Sequence, residues 1–298
     1  METINQYIDW LKNEEKSEAT IKSYRSALGK LVDWYVETEN EDFVPDKVTT
    51  MHLYEFQAYM DKIKKYEPAY SNKIIASLKT FFKFTTEMHL TTFNPALKVK
   101  MKRTMKQYAA PKWLGKREVA KFFHAISNEK NDTVRKRDMA ICRLMAGAGL
   151  RVQEVSDLTI SDVCLKKKME DVTIRGGKGD KYRIVPLNGD AIQALQEWLE
   201  IRNPESRDDP YFLSERGTPL SDRSIRYMVY KYANKAGLEN VSPHILRHTF
   251  CKSLVDNGVP LQRVAYLAGH ESLETTRRYI QPSRADLRKD VQSISEKR

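Results

Sequence analysis

The chain has 298 residues, enough for two domains of ordinary size or one large one. With 41% hydrophobic residues and only 12 Gly and 11 Pro it can bury real cores, which excludes a disordered, collagen-like or disulfide-built chain. Lys and Arg number 51 against 40 Asp and Glu, a formal net charge of +11. That surplus favours a polyanionic partner, because each phosphate neutralised releases condensed counterions, although a merely soluble basic protein has the same charge.

Three cysteines, Cys142, Cys164 and Cys251, lie far apart and outside any CxxC pair, so neither a disulfide frame nor a four-cysteine zinc site is expected. That suits a reducing compartment. The first residues carry charges and no apolar segment, so no signal peptide is expected, and no stretch approaches the roughly 20 apolar residues that span a bilayer. The expectation is a soluble, cytoplasmic protein with no membrane partner.

Residues 1–103 read as helix throughout. Ile21, Tyr24, Leu28, Leu31, Val32 and Tyr35 recur at helical spacing, as do Ile74, Ile75, Leu78, Phe81 and Phe82. Polar breaks near Glu37–Asp46 and Lys65–Ser71 separate the helices, and Asn94-Pro95 is a typical helix stop. The basic run Lys98–Lys106, followed by Ala109-Ala110-Pro111, reads as a linker, placed at 104–112. It could track a phosphate backbone or be a solvated connector.

From Trp113 the pattern changes. Helices are expected at about 115–127 and 133–148. Short strands follow, with Glu170–Ile174 and Tyr182–Pro186 joined as a hairpin by Arg175-Gly-Gly-Lys-Gly-Asp-Lys181. Helix resumes over 189–202, and another begins at Ser221 as N-cap, with Ile225, Met228, Val229 and Tyr232 on one face. The fold class is therefore mainly α with a small antiparallel β-sheet: an all-α N-terminal domain over 1–103 and a mixed α/β domain over 113–298.

Five segments of the second domain place chemically useful residues where propensity does not require them. In Ala148-Gly-Leu-Arg-Val-Gln-Glu154, Arg151 stands at the start of a helix, where it and free backbone N–H groups would face one anion. It could equally be a surface arginine paired with Glu154. Lys178 sits at the glycine-rich hairpin tip, which lacks the Ser or Thr of a P-loop and the last glycine of GxGxxG. It could deliver a proton or be a solvated turn residue.

In Ser242-Pro-His-Ile-Leu-Arg-His-Thr-Phe250, His244 and Arg247 share one helical face and suit phosphate binding. His244 and His248 are four apart, but no further ligand set is evident, so no metal is expected; His248 reads as a packed or capping residue. Val259–His270 is a short helix ending at Gly269 that delivers His270 onto a loop. Nine residues on, after Arg277 and Arg278, comes Tyr279. Tyr279 could be an ordinary interfacial aromatic, yet the two arginines are expected to lower its pKa by favouring the phenolate.

Taken together, two arginines, two histidines, a lysine and a tyrosine are the parts needed to cleave a phosphodiester without a metal. Their order, Arg151, Lys178, His244-x-x-Arg247, Gly269-His270, Tyr279, resembles the tyrosine recombinase (phage integrase) family, Xer-like and transposon-borne members included. The resemblance covers nearly the whole chain. GLRVQE, RGGKGDKYRIVPL, HILRHTF, LAGH and TTRRY match in order and approximate spacing, and ATIKSYRSAL and NKIIASLKTFFKF resemble the family's helical, SAM-like core-binding domain. Departures are mild and apolar: Val155, Cys251 and Ala268.

The resemblance implies a site-specific recombinase that cleaves and rejoins DNA through a 3′-phosphotyrosyl intermediate, with no metal, ATP or cofactor. Arg151 and Arg247 would clamp the scissile phosphate. His244 and His270 would hydrogen-bond it and help move protons, His244 as general base. Lys178 would protonate the 5′ oxygen, and Tyr279 would attack. The implied partners are double-stranded DNA carrying a specific recombination site and further copies of the chain in a tetramer on two such sites, with room for accessory proteins. A tail helix at about 283–298, with Leu287, Val291 and Ile294 at helical spacing, would dock on a neighbouring protomer or pack on its own domain. The same chemistry serves integration, excision, resolution or inversion.

Two other readings remain: a type IB topoisomerase-like relaxing enzyme, against which the N-terminal helices and amphipathic tail argue, and a DNA-binding protein without catalysis, which predicts losses among the six residues. If the six suffice, adding EDTA leaves DNA cleavage unchanged; activity that disappears on chelation refutes the metal-free reading.

Overall fold

The computed structural model describes residues 2–103, 112–176, 182–280, 288, 291 and 292. The chain divides into two compact units, Met1–Gln107 and Tyr108–Arg298.

The first unit has four α-helices: α1 (Glu2–Asn13), α2 (Glu18–Glu39), α3 (Thr50–Lys62) and α4 (Pro68–Glu87). Local chemistry starts each of the last three. The Ser17 hydroxyl accepts from Thr20 N–H, Thr49 and His52 form a reciprocal capping box, and Pro68 occupies the first turn of α4. The apolar stripes converge on one core in which Leu28, Leu31, Tyr35, Phe56, Ile74, Ile75, Leu78, Phe81 and Phe82 are all buried. Each large side chain so buried contributes roughly 1.5–3 kcal/mol against the cost of ordering it.

Two sequence expectations shift here. Helix does not persist to Asn94-Pro95: α4 stops at Glu87, His89 takes a left-handed φ of 55°, and the Thr91 hydroxyl pairs with those of Thr85 and Thr86 where the chain turns back. The start of the basic run is also not a free connector. Tyr54 Oη donates to Lys98 O, Gln57 Nε2 to Lys100 O, and the Asn72 amide pairs with both backbone groups of Lys102. The proposed linker, 104–112, lies outside the described residues except for Lys112.

The second unit opens with α5 (Lys116–Ser127) and α6 (Asp132–Gly147), then the short α7 (Val152–Ser156). A three-stranded antiparallel sheet follows, in the order β1 (Val163–Lys166), β2 (Met169–Arg175) and β3 (Tyr182–Pro186), with Val163 facing Val172 and Val172 facing Val185. The expected hairpin is β2–β3. Strand β1 was not expected; at four residues it is too short to show a period. The lysine-bearing tip, 177–181 with Lys178, lies outside the described residues.

The remaining helices are α8 (Gly189–Arg202), α9 (Asp222–Lys235, N-capped by Ser221), α10 (Pro243–Asp256), α11 (Leu261–Ala268) and α12 (Leu273–Arg277). The core runs from Ile141, Leu144 and Met145 on α6 to Leu195 and Trp198 on α8, Ile225, Val229 and Tyr232 on α9 and Leu246 on α10, with Val172, Ile174 and Val185 from the sheet. A smaller cluster joins Phe250, Cys251, Val264, Ala268 and Tyr279. The expected tail helix at 283–298 lies almost wholly outside the described residues. Among these, no helix is long and apolar enough to cross a membrane.

Gly149 follows α6 with φ +71°, and a Cβ there would lie 2.3 Å from the Phe250 ring. Gly149→Ala is therefore expected to lose about 3 kcal/mol in denaturant unfolding, through backbone strain and overpacking together. Gly29, inside α2 with nothing within 4 Å of a built Cβ, serves as the opposite case. Gly29→Ala is expected to gain roughly 0.5–1 kcal/mol.

Candidate active site

Helix α10 supplies four residues of one face, His244, Arg247, His248 and Cys251, spaced as successive helical turns require. Pro243 fixes its first turn, and the Thr249 hydroxyl accepts from Leu114 N–H, holding the helix to the start of the unit. Helix α11 ends opposite this face. Gly269 closes it in the left-handed region (φ 61°, ψ 47°) and turns the chain so that His270 follows directly.

The last carbonyls of a helix have no partner within it and form the negative end of its dipole. In α11 three guanidiniums take them in succession. Arg183 Nε donates to Leu267 O (3.1 Å), Arg247 Nη2 to Ala268 O, and Arg151 Nη2 to Gly269 O (2.5 Å). Arg247 Nη1 also donates to Gly149 O at 2.5 Å, so one buried arginine ties the loop before α7 to the end of α11. At Gly269 the φ favours glycine, and a Cβ there would lie 2.7 Å from Arg183 Nη1, so any other residue would push that guanidinium off Glu154 and Leu267 O.

Glu154 organises the cations. Its carboxylate accepts two bonds from Arg183 (3.0 and 2.8 Å), one from Arg151 Nη1 (2.8 Å) and one from Arg151 N–H (2.7 Å). Burial pushes the Glu154 pKa up, but the hydrogen bonds and charge of Arg183, and then Arg151, outweigh it and hold the group at about 2. Arg151 does pair with Glu154, as the plainer sequence reading had it. The expectation that free N–H groups at this helix start would face an anion fails for one of them: the Arg151 N–H is taken by the Glu154 carboxylate, as in a capping box. Two guanidiniums thus bond to this carboxylate, and that of Arg247 lies beside them on backbone carbonyls. Burial, and then the charge of Arg151, lower the Arg247 pKa to about 10.

The histidines are held neutral. Burial, then the charges of Arg247 and Arg151, bring His270 down to about 4, and its Nδ1 pairs with the buried Thr276 hydroxyl at 2.9 Å. Burial, then His244 and Arg278, bring His248 to about 3. His244 is the exposed member; its pKa is lowered by partial burial and by Arg247 and Arg151.

Tyr279 lies just beyond α12, not within a helix, and only 1% of it is exposed. Its hydroxyl is 2.5 Å from His248 Nδ1, and its ring stands parallel to that of His270 at 6.3 Å. The expected lowering of its pKa is overturned. Burial raises it, and Cys251 adds to the rise; Arg247 and Arg278 pull the other way but do not prevail. Arg277 instead pairs at the surface with Glu274. Adjacency in sequence did not decide the field at the phenol; the apolar cluster around it did.

Five of the six expected residues therefore meet in one place, and Lys178 lies outside the described residues. Glu154, Arg183, His248, Cys251 and Thr276 were not assigned to the site from the sequence. Arg183 had one usable signal: on β3 it shares the inward face with Val185, while Tyr182 and Ile184 point out. Among the described residues no group of His, Cys, Asp and Glu is arranged to hold a metal ion.

Removing Glu154 leaves two guanidiniums without their counter-charge. Glu154→Gln is expected to cost about 3 kcal/mol at neutral pH, as for a broken buried ion pair. A carboxyl depressed on folding contributes stability above its unfolded value, near 4.3, that is lost as pH falls towards about 2. The wild-type stability should thus decline over that window and the variant's much less. Equal declines in urea titrations from pH 5 to 2 would contradict this account.

Residues 112–285 match the model of the phage integrase family, and residues 2–92 match that of the phage integrase N-terminal SAM-like domain. The chain is 28% identical to the TnP I resolvase of Bacillus thuringiensis, over 99% of this chain and 100% of the relative. It is 31% identical to the tyrosine recombinase XerA of Thermococcus onnurineus (strain NA1), over 97% of this chain and 93% of that one. A crystal structure of the XerH site-specific recombinase bound to its difH substrate, in a pre-cleavage complex, superposes with a TM-score of 0.71 at 25% identity, covering 91% of this chain and 78% of that one. The chain belongs to the phage integrase family and is a tyrosine recombinase, an enzyme that breaks and rejoins DNA.

Proposed function

We propose that this site-specific recombinase works through Tyr279, with Arg151 and Arg247 clamping the scissile phosphate. The observation that carries the reading is the cation cluster beside that tyrosine: three guanidiniums aimed by backbone carbonyls, of which Arg151 and Arg183 share the Glu154 carboxylate while Arg247 bonds to Gly149 O and Ala268 O. A phosphodiester supplies one negative charge and gains more at the pentacoordinate transition state, so preorganised donors of this kind stabilise the second more than the first.

In this reading His244 and His270, both neutral, hydrogen-bond the phosphate oxygens, and Lys178 protonates the departing 5′ oxygen. Attack by Tyr279 forms the O–P bond as the P–O5′ bond breaks. The 3′-phosphotyrosyl ester retains the energy of the phosphodiester, so the 5′ hydroxyl can reverse the step with no ATP. Residues 1–103 would serve as the core-binding domain and 113–298 as the catalytic domain, both on double-stranded DNA. Assembly as a tetramer on two sites and action in the cytoplasm belong to the same proposal and rest on family resemblance.

Incubation with a nicked cognate site should give a covalent protein–DNA adduct on a denaturing gel, and Tyr279→Phe should give none. Arg151→Ala and Arg247→Ala should each lower adduct formation by roughly 10²–10³-fold. DNA affinity should change little, because many other basic residues meet the backbone. An adduct that survives Tyr279→Phe defeats the reading; affinity that collapses together with cleavage assigns the arginines to binding first.

A further inference from the structure

One buried contact at this site has no role in the scheme above. The Tyr279 hydroxyl and His248 Nδ1 are hydrogen-bonded at 2.5 Å, and both side chains are buried. The other two histidines are engaged differently. His270 directs Nδ1 to Thr276 and presents its ring parallel to the phenol, with an interplanar angle of 7°. His244 is exposed and meets His248 edge to face at 4.4 Å.

We infer that His248, and not His244, is the group that takes the proton from Tyr279 when the phenol attacks the phosphate. The inference rests on the reading of Tyr279 as nucleophile and goes beyond it by naming the base. In the step, the Tyr279 O–H bond breaks and its proton passes to Nδ1. The phenolic oxygen forms the bond to phosphorus, the P–O5′ bond breaks, and the 5′ oxygen receives its proton from a separate acid. Religation runs the same transfers backwards, and His248 returns the proton to the phenol.

Three observations favour this assignment. The two atoms already stand at hydrogen-bond distance, 2.5 Å, within reach of a direct proton transfer. The imidazole is neutral, so it has a lone pair to offer; with Nδ1 accepting, the ring proton sits on Nε2. Cys251, which also hydrogen-bonds the phenol, is a thiol and a weak acceptor.

The environment also explains why the base is idle without DNA. Groups bearing on His248 from its own helix are His244 and Arg247; those from the segments packed against it are His270 and Arg278. Burial and the charges of Arg247 and Arg278 oppose an imidazolium until an anionic phosphate enters. Substrate binding thereby strengthens the base, and the phenol is activated only when there is something to attack.

The test uses the full-length protein, a nicked cognate duplex and a matched duplex with sulfur in place of the bridging 5′ oxygen, which departs as a thiolate and needs no acid. His248→Ala should form adduct at least 100-fold more slowly than wild type on both duplexes, while Lys178→Ala should recover on the sulfur duplex. His248→Gln, whose amide oxygen accepts a hydrogen bond but holds no proton, should remain as slow as His248→Ala. DNA binding by gel shift and thermal unfolding confirm that each variant is folded, with His248→Gln standing in if His248→Ala is not.

The assignment is overturned if His248→Gln cleaves at the wild-type rate, since His248 would then only position the phenol. It is overturned likewise if sulfur rescues His248→Ala, which would make His248 the acid. Cleavage faster than wild type in either variant would make the contact a resting-state latch. Adduct formation by Tyr279→Phe, run in parallel, would instead remove the nucleophile on which the inference stands.

Discussion

The site depends on how one short helix ends. Helix α11 is eight residues long and finishes with carbonyls that its own backbone leaves unpaired. Had water filled them, the arginines would be free to rotate and would lose entropy on meeting a phosphate. Instead Arg183, Arg247 and Arg151 spend part of their donor capacity on Leu267, Ala268 and Gly269, and these bonds set the planes of the guanidiniums in advance. An arginine has five N–H donors, so a carbonyl anchor on one edge leaves donors for a ligand.

The same contacts account for the glycines. Gly149 gives its carbonyl to Arg247 from a left-handed turn crowded by Phe250, and Gly269 gives its own to Arg151 from a left-handed cap crowded by Arg183. Both are places where backbone must approach a planar side chain closely, and any Cβ would stand between them. Glu154 completes the frame by bracing Arg151 and Arg183 through one carboxylate. Its single charge aligns Arg151 and Arg183 without neutralising both.

Tyr279 shows the opposite use of burial. Sealed in the cluster of Phe250, Cys251, Val264 and Ala268, the phenol is kept protonated, so a reactive phenolate does not form in the absence of substrate. On the proposal that Tyr279 attacks the phosphate, ionisation is coupled to attack through a partner that takes the proton at the same moment. The site thus sets a neutral phenol beside fixed cations that the end of α11 and Glu154 hold.

How much of this could be read from the chain follows the reach of each interaction. The helical stripes of the first unit and its breaks near Glu37–Asp46 and Lys65–Ser71, the β2–β3 hairpin, the Ser221 cap and the Gly269 turn are set by residues within a turn or two of one another, and the sequence displays them; the break between α1 and α2 it does not. The inventory of Arg151, Lys178, His244, Arg247, His270 and Tyr279 in order was likewise enough to point to the family. The pKa of Tyr279 was misjudged, because Arg277 and Arg278 are neighbours in sequence while the burying residues are not. The bond from Arg151 to Gly269 spans 118 residues and that between His248 and Tyr279 spans 31, and no local period signals either. The sequence by itself determined which functional groups are present and where the backbone must turn. Only the tertiary structure decided which carbonyls the arginines grip, which histidine the phenol meets and how far water is kept from it, since burial and dielectric are properties of packed elements rather than of neighbours along a chain.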